Sequence, residues 1–169
     1  MAERPIVVYG DPVLREVAEP VEHIDQEIKD LVSEMAETLT RARGLGLAAN
    51  QVGATHRVFI VDLSAIDINQ SLMVFINPEI LETSPDTVEM EEGCLSFPDL
   101  YLKVSRPAKV RVRATDLQGN RFEMKAEGMA ARAILHEYDH LEGKLFIDHI
   151  SPLTRTMIKG RLKKLAKAS

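Results

Sequence analysis

Between His136 and His140 the chain reads His-Glu-Tyr-Asp-His, a spacing that makes chemical sense on a helix. Helical residues four apart stand on one face with Cβ atoms about 5–6 Å apart, so His136 and His140 can both reach a single metal ion while Glu137 flanks them. The pairing suits zinc or ferrous iron. Two imidazoles do not hold a metal alone, and the third ligand decides the class. Where a metzincin would place a third histidine this chain has Phe146, and no glutamate follows Glu142, as a gluzincin would require. The remaining candidates are Cys94, His56, His149 and an upstream carboxylate.

Cys94 is the best of these, because a thiolate has the greatest affinity for a borderline-soft divalent ion. It is also the only cysteine, so it has no internal disulfide partner and is free for chemistry. Its setting, Glu-Glu-Gly-Cys-Leu-Ser-Phe-Pro, fits an exposed turn or strand end better than a core strand. Two imidazoles and one thiolate leave a coordination position open to water, the mark of a catalytic site and not a closed structural one. Hydrolysis follows from that arrangement.

A third segment, Gly44 to Gly53, reads Gly-Leu-Gly-Leu-Ala-Ala-Asn-Gln-Val-Gly. Read as a dinucleotide loop it fails, since a helix and not a strand precedes it and too few residues follow for a crossover helix. Its small residues do permit close approach of another backbone such as an extended peptide, with Gln51 presenting an amide donor.

The rest of the chain supports one domain over residues 1–169, with no repeat, linker or low-complexity tract. Apolar residues from Ile24 to Leu39 at three-and-four spacing predict a helix from about Asp25 to about Arg43, stopped by Gly44 and Gly46. Arg57–Asp62 and the run from Leu72 to Ile76 each fit a buried strand. Val110, Val112 and Ala114 alternate with polar neighbours, and a turn at Gln118–Asn120 makes a hairpin. A helical pattern returns from Gly128 to about Leu141, and Ser151 with Pro152 starts a last helix. Central strands between terminal helices indicate an α+β fold.

The net charge of −5 argues against a protein that coats nucleic acid, and no apolar run is long enough to span a membrane. Charge is unevenly placed: after Asp148 there is no acid, while Arg155, Lys159, Arg161, Lys163, Lys164 and Lys167 follow. Leu153, Met157, Leu162 and Leu165 are expected on one side of this basic helix. A single cysteine, with no apolar leader and no Arg- and Ser-rich leader, points to a cytoplasmic bacterial protein or a mature organellar form.

With Gly44–Gln51, the Glu-Gly-Cys-Leu-Ser of Glu92–Ser96 and the His-Glu-Tyr-Asp-His-Leu-Glu-Gly of His136–Gly143 in that order, the sequence resembles the peptide deformylases. The likeness covers essentially the whole chain. It implies an α+β fold in which antiparallel strands surround the HExxH helix. Cys94, His136 and His140 match the family's metal ligands, Glu137 its general acid/base, and Gln51 with the Leu95 N–H its oxyanion donors. The implied ion is Fe2+, with Ni2+ or Zn2+ as substitutes, and the substrate is the N-formyl-methionine end of a nascent polypeptide, with formate released. Leu45, Gly46, Gly93, Met129 and Ala133 are expected on the substrate side, Met129 and Ala133 because helical spacing puts them on the face of His136. Where several members carry a peptide-contacting arginine this chain has Tyr101. Some members dock on the ribosome through the C-terminal helix, which makes ribosomal contact an expectation for the basic tail, with no DNA and no membrane as partners. Two other readings compete: a metal-independent cysteine hydrolase using Cys94 with His136 or His140, and a non-catalytic zinc module closed by His149.

Overall fold

The apolar residues spaced three and four apart wind into helix α1, Gln26–Ala42, in the computed structural model, which describes residues 3–168. Asp25 caps it by accepting from the Ile28 N–H, which satisfies one of the orphan donors of the first turn. The helix ends on Arg43 in the left-handed conformation (φ 56°), one residue before the glycine expected to stop it. Gly44 serves a different need: a Cβ there would lie 2.7 Å from Leu95 Cδ1, so the missing side chain lets that leucine pack against the loop.

Among the described residues seven strands follow: β1 Gly46–Ala48, β2 Val58–Asp62, β3 Leu72–Thr83, β4 Thr87–Cys94, β5 Phe97–Pro107, β6 Lys109–Thr115 and β7 Arg121–Glu127. Five form an antiparallel sheet in the order β1-β2-β3-β6-β7, and β4 and β5 form a separate two-stranded ribbon. The continuous apolar run of β2 has a simple cause. Val58 and Ile60 pack with Leu31, Met35 and Leu39 of α1, while Phe59 and Val61 face the second helix, α2 (Gly128–Leu141), so both faces of the strand are buried. Phe59 and Phe75, paired in register, stack with centroids 4.6 Å apart in that core.

Helix α2 leaves β7 without a loop, the turn being taken by Gly128 at φ 62°. Its Ala131, Ile134, Leu135 and Leu141 press onto the sheet. At its end Gly143, at φ 72°, lets the chain pass so close to Arg15 that a Cβ would meet the Arg15 carbonyl oxygen at 2.6 Å. A third cluster joins the ribbon residues Phe97, Leu100, Leu102 and Val104 to Leu14, Phe146, Ile158 and Leu162.

The hairpin of β6 and β7 and the helix from Gly128 agree with the sequence expectation, but the β4–β5 ribbon was not foreseen. Leu100, Leu102 and Val104 do alternate; the left-handed Asp99 (φ 61°) breaks their phase with Phe97, and β4 is charged and exposed along much of its length. The single last helix is instead two, α3 (Pro152–Met157, capped by Ser151) and α4 (Lys159–Ala168). The break at Ile158 separates the apolar residues expected on one side. Ile158 and Leu162 are buried, whereas Leu153 and Met157 are largely exposed. Among the described residues no helix is long and apolar enough to cross a membrane.

Candidate metal centre

The helix from Gly128 buries His136, Glu137 and His140, and the end of β4 brings Cys94 against them. Ligand atoms of Cys94, His136 and His140 all lie within 4.8 Å of one another, and Cys94 Sγ is 3.4 Å from His140 Nε2. Among the described residues no other such cluster of histidine, cysteine or carboxylate side chains occurs. His56 is elsewhere, bridging to Glu19, and His149 is paired with Asp139 at 2.7 Å. Of the third-ligand candidates only the thiol joins the two imidazoles. One thiol and two imidazoles at this spacing fit a divalent ion of borderline softness.

The orientation of His136 is fixed from behind. Its Nδ1 donates to Glu92 Oε2 at 2.6 Å, which leaves Nε2 for the centre. Glu92 is itself held by Arg106, whose Nε and Nη2 each donate at 2.8 Å, and by Arg132 Nη1 at 2.9 Å. Burial would raise the Glu92 carboxyl, but hydrogen bonds from Arg106 and His136 outweigh it and hold it far below the carboxylate range. Arg106 continues to Asp139 at 3.0 Å, and Asp139 to His149. Sequence reasoning gave no role to Glu92, Arg106, Arg132 or Asp139. The available signals were a carboxylate two positions before Cys94, on the inward face of β4, and an arginine one helical turn before His136.

Glu137 lies against the backbone of Gly46. A Cβ on Gly46 would come within 2.8 Å of Glu137 Oε2, so the glycine makes room for this carboxylate. Its other oxygen, Oε1, is buried with no hydrogen-bond partner among the described residues. Such orphaned groups are rare in folded proteins and concentrate where chemistry needs them. Burial pushes the Glu137 carboxyl up to about 7, against the pull of the His136 charge. Burial also lowers His136, but the charges of Glu137 and Cys94 and its hydrogen bonds override that and hold it well above the ordinary imidazole range. For His140 burial and the His136 charge act together, and it falls well below that range.

Gln51, fully buried in a short turn after β1, accepts from the Ala48 N–H through Oε1 at 3.0 Å. That contact turns its amide nitrogen toward Ser96 Oγ at 3.1 Å and Cys94 Sγ at 3.6 Å. A cavity of about 450 Å³ opens beside Cys94 and His136. Leu45, Gly46, Gln51, Gly93, Leu95, Met129 and Ala133 line it together with Cys94, His136 and Glu137. Tyr101 lies at the same cavity with its ring over Gly93, its cross-strand partner, where a Cβ would be 2.6 Å from the ring edge.

Comparison with known proteins places the chain in a family. The profile of the polypeptide deformylases matches residues 3–156. A peptide deformylase of Mesorhizobium japonicum is 48% identical over 167 residues, covering 99% of this chain and 95% of its own. One of Phenylobacterium zucineum is 47% identical over 169 residues and the full length of both chains. The crystal structure of a peptide deformylase from Legionella pneumophila superposes with a TM-score of 0.89 at 40% identity, covering 98% of this chain and 96% of that one.

Proposed function

Because the chain belongs to the peptide deformylase family, we propose a role for each residue around its metal centre. The enzyme is a metal-dependent hydrolase that removes the N-formyl group from the terminal formyl-methionine of newly synthesised polypeptides and releases formate. Metal-independent cysteine hydrolysis and a non-catalytic zinc module, the competing readings of the sequence, find no support in that membership.

Cys94, His136 and His140 hold one divalent ion, Fe2+ in the cell, with Zn2+ or Ni2+ as substitutes. When bound, the ion supplies Lewis-acid activation of water and of the formyl carbonyl. Glu137 takes the proton of the attacking water as the carbon–oxygen bond forms. It returns that proton to the departing amine as the carbon–nitrogen bond breaks. A carboxyl raised to about 7 suits a group that must both accept and release a proton near neutrality. The Gln51 amide and the Leu95 N–H donate to the oxygen that gains charge, and losing one such donor costs about 2.7–4 kcal/mol of barrier. Leu45, Met129 and Ala133 wall the methionine side chain, while Gly46 and Gly93 line the substrate cavity and leave room there for the Glu137 carboxylate and the Tyr101 ring. The whole of residues 1–169 works as one catalytic domain.

The observation that carries this reading is the convergence of one sulfur and two imidazoles within 4.8 Å beside the buried Glu137. Its test is formate release from formyl-methionyl peptides, with metal content measured on the same anaerobic sample. A strong chelator should abolish activity and Fe2+ or Ni2+ should restore it; activity indifferent to both overturns it.

The setting is the cytoplasm or an organelle interior, and the basic C-terminal helix contacts ribosomal RNA. Because Ile158 and Leu162 belong to the core, the test replaces only the exposed Arg161, Lys163 and Lys164 by Gln. Co-sedimentation with ribosomes should weaken and lose much of its salt dependence; unchanged co-sedimentation rejects the contact.

A further inference from the structure

The three ligands come from two elements that pack into different parts of the core. Helix α2, with His136 and His140, presses its apolar residues onto the five-stranded sheet, whereas the ribbon that ends in Cys94 packs with Leu14, Phe146, Ile158 and Leu162. Hydrophobic burial is non-directional and does not by itself fix the distance between the two. His136 reaches Glu92 on β4 and Asp139 accepts from Arg106 of β5, but among the described residues of α2 only one side chain bonds to both strands of the ribbon. Arg132, one turn before His136 and 5% exposed, donates through Nη1 to Glu92 Oε1 and to the Val104 carbonyl, each at 2.9 Å, and through Nη2 to the Val88 carbonyl at 2.6 Å. One planar guanidinium from the histidine helix therefore binds both strands of the cysteine ribbon and the carboxylate that orients His136.

Charge balance alone does not account for it. Glu92 is already engaged by two donors of Arg106, and a buried ion pair is seldom more stabilising than apolar packing of similar volume. What a methionine or leucine at position 132 lacks is the fork that spans β4, β5 and Glu92 at once.

We propose that Arg132 is a positioning residue for the metal centre, holding Cys94 at ligating distance from His136 and His140 by clamping the β4–β5 ribbon to α2. The proposal rests on those three residues being the ligands. Arg132 also borders the substrate cavity, so its effect on substrate binding has to be separated from its effect on the ion.

The experiment compares the parent enzyme with Arg132→Met and Arg132→Lys, each loaded with Co2+. It reads the thiolate-to-cobalt charge-transfer band, the rate of cobalt loss to excess chelator, and KM and kcat for a formyl-methionyl peptide. In Arg132→Met, cobalt loss should accelerate by about tenfold or more, as is usual when a residue supporting a ligand is removed. The charge-transfer band should weaken, and kcat should fall with KM within about twofold. Arg132→Lys, which keeps the charge but not the fork, should lie between. Cobalt loss at the parent rate in Arg132→Met, or a rise in KM with retention unchanged, overturns the proposal. Should that variant fail to fold, Arg132→Lys decides alone, and parent-like retention in it is equally contrary. A parent enzyme that binds cobalt with no thiolate band would instead refute the ligand assignment itself.

Discussion

Glu137 shows how much of this site depends on what a neighbouring residue lacks. Its carboxylate occupies space that a side chain at Gly46 would take, and its Oε1 has no partner among the described residues. Gly46→Ala should therefore move the carboxylate without removing it. A misplacement near 1 Å can cost about a hundredfold in rate, so kcat should fall by about that much while thermal unfolding shifts by only a few degrees. An alanine enzyme with parental kcat would show that Glu137 does not work from this position. Glu137→Gln tests the chemistry separately. General acid–base catalysis contributes about 10²–10⁴-fold, so formate release should drop within that range at unchanged metal content. A glutamine variant that also loses its metal would point to a ligand role instead.

At the scale of elements, the polar ties between segments matter as much as the strands. Asp148, in the turn after α2, accepts from Arg15 at 2.7 and 3.1 Å and from the Leu145 N–H at 2.9 Å, joining the N-terminal segment to the C-terminal third. Burial would raise its carboxyl, but the Arg15 and Leu145 hydrogen bonds and the charges of Arg15 and Arg155 hold it below its ordinary value of 3.8. A carboxyl lowered by folding stabilises above its unfolded value, and that contribution is lost as pH falls through the folded one. Asp148→Asn should cost on the order of 1 kcal/mol at neutral pH, because Arg15 is half exposed. The gap between parent and variant should narrow as pH drops below 3.8; a gap independent of pH would deny the ion pair any role.

The elements most legible in sequence were those with one periodicity and one partner. The α1 stripe and the β6–β7 alternation each faced a single apolar surface. The β4–β5 ribbon escaped because its inward face mixes Leu102 and Val104 with Glu92 and Arg106, polar residues that are buried only because they satisfy one another. The same reason hides the support of His136: nothing local to His136 tells that Glu92, forty-four positions earlier, lies behind it. The proposed ligands were readable because metal chemistry restricts residue type; the residues that would aim them were not, because any buried charge network can use the same types.

At the scale of the molecule, one small sheet with a helix on either face sets α2 against β1, and the ribbon adds the sulfur from the other side. The chain joins these parts so that residues from Gly46 to Glu137 meet at one cavity. Proton transfer by Glu137 and the clamp at Arg132 both require that Cys94, His136 and His140 share an ion. X-ray absorption spectroscopy on zinc-loaded enzyme measures this directly. The account predicts one sulfur at about 2.3 Å and two imidazole nitrogens at about 2.0–2.1 Å from the metal. A spectrum with no sulfur neighbour, or with a single imidazole, would contradict it.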